Sequence, residues 1–395
     1  MHPSEGIRSS KSRLLEGKRI VLGITGSIAA VECFDLAREL IRHGAEVQAV
    51  MSPEALKLVT ADAMHFATGR EVITELDGRT QHVDLLGSYD DRADLLLISP
   101  CTANTLSKMA LAIDDTAVTT MATIAIGGGI PVLVAPAMHA SMLEHPGVKR
   151  NMDALREMGV ELIGPRMEER KAKIVPVGDI VAAVIRRLGP GDLRGRKVLV
   201  IGGASEEPMD RVRVITNRSS GETAALLAEA AYMRGADVEL WAGRMTFPVP
   251  SYIRKRDFRR VGELMDMLKG VENDIVIVPA ALSDYAPVAS DEKIPSGLDH
   301  VDLQLRPVPK VLPALRPHAK VLVGFKAEAS LPKDELLRRA RQRMDEHCLD
   351  LIVANDLDDV AAGTTTAFLL RPDGPADRYE GSKRELAERI LDEVR

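Results

Sequence analysis

Short apolar runs that end in glycine or proline alternate along the chain with longer stretches of helical spacing. The run RIVLGITGS (19–27) closes in glycines. After it, residues 28–44 carry apolar side chains at three- and four-residue intervals, and Gly44 stands where a C-terminal helix cap is expected. EVQAVMS (46–52), DLLLISP (94–100) and PVLVAPAM (131–138) are further apolar runs. They are continuous rather than alternating, which suits a parallel sheet covered on both faces. The stretch 186–197 is rich in glycine and charge and reads as a linker. The pattern then restarts, with strands expected in 196–203, 236–243, 274–280, 320–328 and 349–356 and helices in 221–235 and 382–394. The fold class is α/β, with two Rossmann-like domains over 1–190 and 191–395. Both open on a strand, a glycine turn and a helix, an arrangement common to many nucleotide-binding sheets.

Composition narrows the classes. The 395 residues include 52 Lys and Arg against 58 Asp and Glu, a formal net charge of −6. No basic footprint for nucleic acid is present. Aromatics are 3%, too few for an aromatic-lined groove. The three cysteines are far apart, which excludes a disulfide scaffold and a clustered zinc site; the cytoplasm is the simplest compartment. The first 19 residues are polar and carry no secretory core. The uncharged stretch 116–138 has the length of a membrane span, but Gly127, Gly128, Gly129 and Pro131 interrupt it. It reads as helix, turn and buried strand, so no membrane partner is expected.

Four places carry candidate chemistry in the first half. The turn Gly23-Ile24-Thr25-Gly26-Ser27-Ile28 lets backbone approach a phosphate before a helix N-terminus. A dinucleotide fingerprint would need G-x-G-x-x-G and an acid ending the second strand. Here the spacing is G-x-x-G and the second strand ends in Ser52, which argues against NAD. A monophosphate such as FMN, or a tight turn with no ligand, both remain open on these residues alone. Ser99-Pro100-Cys101-Thr102-Ala103-Asn104-Thr105 follows a buried strand, where open α/β sheets bind ligands; a plain helix cap is the alternative. Pro136-Ala137-Met138-His139-Ala140-Ser141-Met142 follows the next strand. His82 stands alone.

In that order these motifs resemble the flavin-containing cysteine decarboxylases. The second half resembles the ligase fused to one of them in coenzyme A synthesis. The residues that carry this are Val200–Pro208, Asp210-Arg211-Val212-Arg213, Thr216-Asn217-Arg218-Ser219-Ser220-Gly221, Ala280–Tyr285, Glu292-Lys293-Ile294, Gly324–Glu328 and Ala354-Asn355-Asp356. The resemblance implies a flavodoxin-like decarboxylase domain followed by a nucleotide-dependent ligase domain. It implies CTP-dependent joining of 4′-phosphopantothenate to L-cysteine through an acyl-cytidylate, then FMN-dependent decarboxylation to 4′-phosphopantetheine. Decarboxylation beside a thiol has no electron sink of its own, and the flavin would supply one.

By the same resemblance, Gly26, Ser27, Ile28, Ser52, Thr102, Ala103, Asn104 and Thr105 would hold FMN, and His82 would be the active-site histidine. Met138, His139, Lys171 and Lys173 would meet the substrate. Asn217 would handle the activated acyl group, and Lys293 would be catalytic and contact the nucleotide. Val278, Pro279, Ala280, Asp284, Pro309, Lys310, Val311, Leu312, Phe325, Arg343 and His347 would line the nucleotide site, with Asp284 at Mg²⁺. Flavin sites at subunit contacts imply a homo-oligomer. The chain departs from the family pattern at His139, where an asparagine is usual, and at 164–180, which lacks the flap cysteine of bacterial relatives. Arg343 and His347 stand near two bacterial nucleotide-contacting lysines. Lys171, Lys173 and His139 are the candidate proton donors in place of the cysteine. A non-catalytic FMN-binding regulator and another flavoprotein of this fold, such as a prenyltransferase, are the competing readings.

Overall fold

Apolar runs with no polar position to turn toward water must be covered on both sides, and they form the centres of two parallel sheets. The computed structural model describes residues 2–395 apart from 165, 169–170, 298, 357 and 359–362, and for 166–168 and 171–173 the backbone alone. The chain divides into two compact units, Met1–Pro190 and Gly191–Arg395.

In the first unit, β1 (Arg19–Ile24), β2 (Glu46–Met51), β3 (Leu95–Cys101), β4 (Val132–Pro136) and β5 (Glu161–Leu162) are parallel, in the order β2-β1-β3-β4-β5. That is the flavodoxin-like order, whose switch point lies between β1 and β3. Every residue of β3 and β4 is buried. The helices are α1 (Cys33–Arg42), α2 (Ala61–Thr68), α3 (Gln81–Leu86), α4 (Ala103–Ala110), α5 (Ala117–Gly127), α6 (Ala140–Leu143), α7 (Pro146–Glu157) and α8 (Val177–Leu188). The expected helix after the glycine turn is divided. Ile28–Glu32 is a 3₁₀ turn capped by Ser27, and the α-helix begins at Cys33. Gly44 follows with φ 103°, a value that suits glycine. The stretch 116–138 resolves into α5, a turn and β4, and among the described residues no helix is long and apolar enough to cross a membrane. A short antiparallel hairpin, β6 (Arg166–Glu168) and β7 (Lys171–Lys173), lies in the expected flap.

The second unit begins with β8 (Lys197–Gly202), β9 (Glu206–Pro208), β10 (Val214–Thr216), α9 (Glu222–Met233), β11 (Asp237–Ala242) and β12 (Arg254–Asp257). There follow α10 (Val261–Met267), β13 (Asn273–Val278), β14 (Tyr285–Pro287), β15 (Leu305–Pro307), α11 (Val311–Leu315) and β16 (Ala319–Glu328). The last elements are α12 (Lys333–His347), β17 (Leu351–Asp356), β18 (Thr364–Leu370), β19 (Asp377–Ser382) and α13 (Lys383–Val394). The eight-stranded sheet runs β12-β11-β8-β13-β16-β17-β18-β19. Its first six strands are parallel, and β18 and β19 add an antiparallel edge. The sequence reading found five of these strands and missed β12, whose four residues are all exposed, and the antiparallel edge. Two ribbons, β9–β10 and β14–β15, stand outside the sheet.

The stretch 186–197 is less of a linker than its composition suggests. Residues 186–188 finish α8, Leu193 is fully buried, and Asp192 pairs with Arg234, itself only 4% exposed. Helix α9 lies so close to the end of β8 that a Cβ on Gly202 would stand 2.0 Å from that of Ala224. A methyl there is overpacked, at about 1–3 kcal/mol. Gly202→Ala is therefore expected to lower the unfolding midpoint of the second unit. Gly262→Ala, on α10 with open space around it, is expected to leave it unchanged or raise it slightly. Differential scanning calorimetry separates the two; equal midpoints would contradict the close approach.

Candidate functional site

The carboxyl ends of β1, β2, β3 and β4 carry the polar residues that the buried strands exclude. They surround a cleft of about 580 Å³ lined by Gly26, Ser27, Ser52, Thr102, Ala103, Asn104, Thr105 and Met138, together with Pro53, Glu54, Lys108, Thr116, Thr119, Ala137 and Met142. A Cβ on Gly26 would fall 2.4 Å from the Cβ of Glu54, so the turn after β1 and the turn after β2 touch. Thr25 joins the turns after β1 and β3. Its Oγ1 donates to the Pro100 carbonyl at 2.7 Å and accepts from the Thr102 amide at 3.1 Å. Thr102 caps α4 by accepting from the Thr105 amide at 3.2 Å, and Thr116 and Thr119 form a reciprocal capping box on α5. The cleft thus faces the N-terminal ends of two helices, which favour an anion. Lys108 holds Asp115 at 2.6 Å at its edge.

Three expected residues stand elsewhere. Ile28 is 74% exposed and does not line the cleft. His82 lies on α3, outside the lining, with Nδ1 buried and without a partner among the described residues. His139 is exposed and accepts from the Ser141 amide at 3.3 Å, as the cap of α6. Lys171 and Lys173 stand on β7; their side chains lie outside the described residues.

In the second unit a pocket of about 260 Å³ opens at the N-terminal end of α9. Arg218, Ser219, Ser220 and Gly221 line it, with Pro279, Ala280 and Ala281 after β13 and Phe325 on β16. Asn217 is fixed at its rim, Nδ2 donating to the Ala281 carbonyl at 3.0 Å. Glu222 and Lys383 pair at 2.6 Å within the lining, both largely buried.

A second group gathers around Asp284. Lys310 donates to its carboxylate at 2.5 Å, and this bond, with the charges of Arg343 and Lys326, holds the Asp284 carboxyl below its ordinary range. Burial, then the charge of Arg343, pushes His347 down. Arg343 Nε and His347 Nδ1 are buried without partners among the described residues, a cost that an incoming hydrogen-bonding ligand would remove. Val278, Val311 and Leu312 are core residues, so only their backbone is offered to a ligand; Pro309 is exposed. Lys293 is exposed on the loop after β14 and does not line the pocket.

The chain matches the Flavoprotein family model over residues 8–189 and the DNA/pantothenate metabolism flavoprotein C-terminal domain over 193–395. It is 46% identical to the coenzyme A biosynthesis bifunctional protein CoaBC of Thermococcus kodakarensis, covering 100% of this chain and 99% of that one. It belongs to the CoaBC family. The CoaBC of Methanocaldococcus jannaschii is 38% identical, over 100% of this chain and 98% of its own. A crystal structure of the C-terminal domain of a CoaBC protein matches at 25% identity and TM-score 0.44, covering 52% of this chain and 96% of that one. As a CoaBC protein, the chain is a bifunctional decarboxylase and ligase of coenzyme A biosynthesis.

Sequence reasoning missed Lys108, Thr116 and Thr119 in the first cleft and Lys383, Glu222 and Thr365 in the second pocket. Thr116 was open to discovery as a T-x-x-T helix start, whereas Lys383 stands with Leu386 on the last helix, far in sequence from Arg218–Ala224 and Pro279–Ala281, and carried no local signal. Thr25 offers a test of the first cleft. Thr25→Val keeps the shape and strands a buried carbonyl and a half-buried amide, an expected loss of about 1–3 kcal/mol. Thr25→Ser keeps the hydroxyl and is expected to lose less than half as much. Urea unfolding measures both, and equal losses would remove the role given to the hydroxyl.

Proposed function

We propose that the first cleft holds FMN and serves the decarboxylation of phosphopantothenoylcysteine. The observation that carries this is the convergence of Gly26, Ser27, Ser52, Thr102, Ala103, Asn104 and Thr105 around one cleft from three separate strand ends. These residues fit the group. Hydroxyls and amides at two helix starts suit a phosphate, Lys108, paired with Asp115, stands at the edge, and Ala137 and Met138 give an apolar wall to a ring system. Bound there, FMN supplies the electron sink that a β-thiol lacks. His82 then acts as base near the substrate thiol, an imidazole being suited to proton transfer near neutral pH. Because His82 and Ile28 fall outside the cleft of their own chain, a second copy completes the site, and the working form is a homo-oligomer. Met138 borders the substrate; His139, Lys171 and Lys173 are the proposed proton sources or phosphate contacts.

In the second unit the proposed reaction joins 4′-phosphopantothenate to L-cysteine at the expense of CTP, through an acyl-cytidylate. Asn217, held at the rim by Ala281, faces the activated acyl group. The unpaired Arg343 Nε and His347 Nδ1 support a nucleotide beside Phe325, Lys310 and Asp284. Val278, Pro279, Ala280, Pro309, Val311 and Leu312 offer it backbone, and Lys293 meets its phosphates. Mg²⁺ would come with the triphosphate and meet Asp284 as its one protein carboxylate, in place of the bond that Lys310 now makes there. The setting is the cytoplasm.

The deciding assay supplies 4′-phosphopantothenate, L-cysteine, CTP and Mg²⁺ to the purified chain and follows pyrophosphate and CO₂. His82→Ala is expected to lower CO₂ release about 10²–10⁴-fold and spare pyrophosphate release. Asn217→Ala and Lys293→Ala are expected to do the reverse when phosphopantothenoylcysteine is supplied directly. Subunits carrying His82→Ala, coexpressed with subunits carrying Asn104→Ala, are expected to regain part of the decarboxylase activity that each lacks alone. No recovery would refute the shared site, and a protein that takes up no FMN on titration would refute the first cleft's assignment.

A further inference from the structure

The loop that carries Lys293 is fastened to a distant part of the second unit. The Asp210 side chain is fully buried. Its Oδ1 accepts from the amides of Val212 and Arg213, each at 2.7 Å. Its Oδ2 accepts from Arg213 Nη1 and from the Ile294 amide, each at 3.0 Å. Arg213 Nη1 also donates to the Ile294 carbonyl at 3.1 Å, and the Ser290 amide donates to the Met209 carbonyl at 2.9 Å. Lys293 therefore sits between two anchored positions, 290 and 294, while its own side chain projects from an exposed residue.

A carboxylate taken out of water needs its lone pairs filled, and charged donors fill them best. Burial by itself would raise the Asp210 carboxyl; the amides of Val212, Arg213 and Ile294 outweigh it and hold the group charged. Two of its partners are local and shape the turn 210–213. The other two reach the 290–294 loop, directly through Ile294 and indirectly through Arg213. The carboxylate thus contributes to two turns at once, and the second of them carries Lys293.

We propose that Asp210 is a positioning residue of the ligase reaction, latching the 290–294 loop so that Lys293 presents its ammonium at a fixed place. This rests on the reading of Lys293 as the lysine that meets the nucleotide. A displacement of about 1 Å in a catalytic group costs on the order of 10² in rate. Asp210 touches no reacting atom, and its effect passes entirely through Lys293.

The experiment uses the full chain and two readouts. Asp210→Asn keeps the size and loses the charge and one acceptor. It is expected to lower the kcat of ligation about 10–100-fold, to leave decarboxylation of supplied phosphopantothenoylcysteine unchanged, and to speed hydrogen exchange at the Ile294 amide. In a Lys293→Ala background the same change is expected to cost less than two-fold more, because a latch has nothing left to position. Unaltered exchange at Ile294 would overturn the latch itself. Faster exchange at Ile294 with full ligation by Lys293→Ala would instead overturn the reading of Lys293, and the proposal with it. Losses that multiply in the double variant would show that Asp210 acts on something other than the lysine. Should Asp210→Asn fail to fold, as judged by circular dichroism, Arg213→Met removes only the guanidinium bridge and carries the same three comparisons.

Discussion

A parallel sheet covered on both faces leaves little room for polar side chains at the centres of its strands, and this places much of the chemistry of both units near the strands' carboxyl ends. In the first unit β3 and β4 are buried at every position, Ser99 near the end of β3 is the one hydroxyl within them, and the other hydroxyls gather where those strands stop. In the second, β8 and β13 are apolar and buried from Val198 to Ile201 and from Ile275 to Val278, and Ser205, Ala280 and Ala281 stand just beyond their ends. The loops are then tied to one another rather than to the sheet. Thr25 bonds to Pro100 and Thr102, Ser205 to Ser283, and Asn217 to Ala281. Each bond joins loops far apart in sequence, so the outline of each site is set by side chain contacts between strand ends.

Electrostatics works differently in the two sites. The first cleft offers helix starts, hydroxyls and one lysine, a set that suits a phosphate by many modest donors. The second unit uses whole charges. The Glu222–Lys383 pair is nearly dry, so its carboxylate does not oppose an anion at the start of α9 as a lone one would. Asp284 is kept ionised by Lys310, while Arg343 and Lys326 surround it with further positive charge.

The strand-and-turn frame was legible because apolar runs and glycines are local signals. The first cleft was legible for the same reason, since much of its lining follows directly on the ends of β1, β2, β3 and β4. Part of what stayed hidden in the sites is side chains brought together from distant segments. Lys383 comes from the start of the last helix, and nothing around it in sequence marks a site. The edge strands β12 and β19 are mostly exposed or half-exposed and carry no core periodicity. His139 occupies the position of a family amide, yet the backbone uses it as a helix cap, a role that local sequence also permits. His82 was legible only as an isolated residue of the right type, and its place on α3 away from the cleft depends on packing that no local spacing encodes.

The Asp210 network explains why a buried charge is worth keeping in a loop. An apolar residue at 210 would avoid the cost of desolvation, and such replacements are often neutral or stabilising. It would, however, bond to nothing, and the 290–294 loop would be held by Ser290 and by an Arg213 guanidinium that had lost its own carboxylate partner. Hydrophobic contact is tolerant of sliding, whereas four donors converging on two oxygens define one geometry. A flexible lysine stem already loses rotamer freedom when it meets a phosphate. Fixing the backbone beneath it beforehand moves part of that ordering cost from the reaction to folding, where the rest of the second unit's core offsets it.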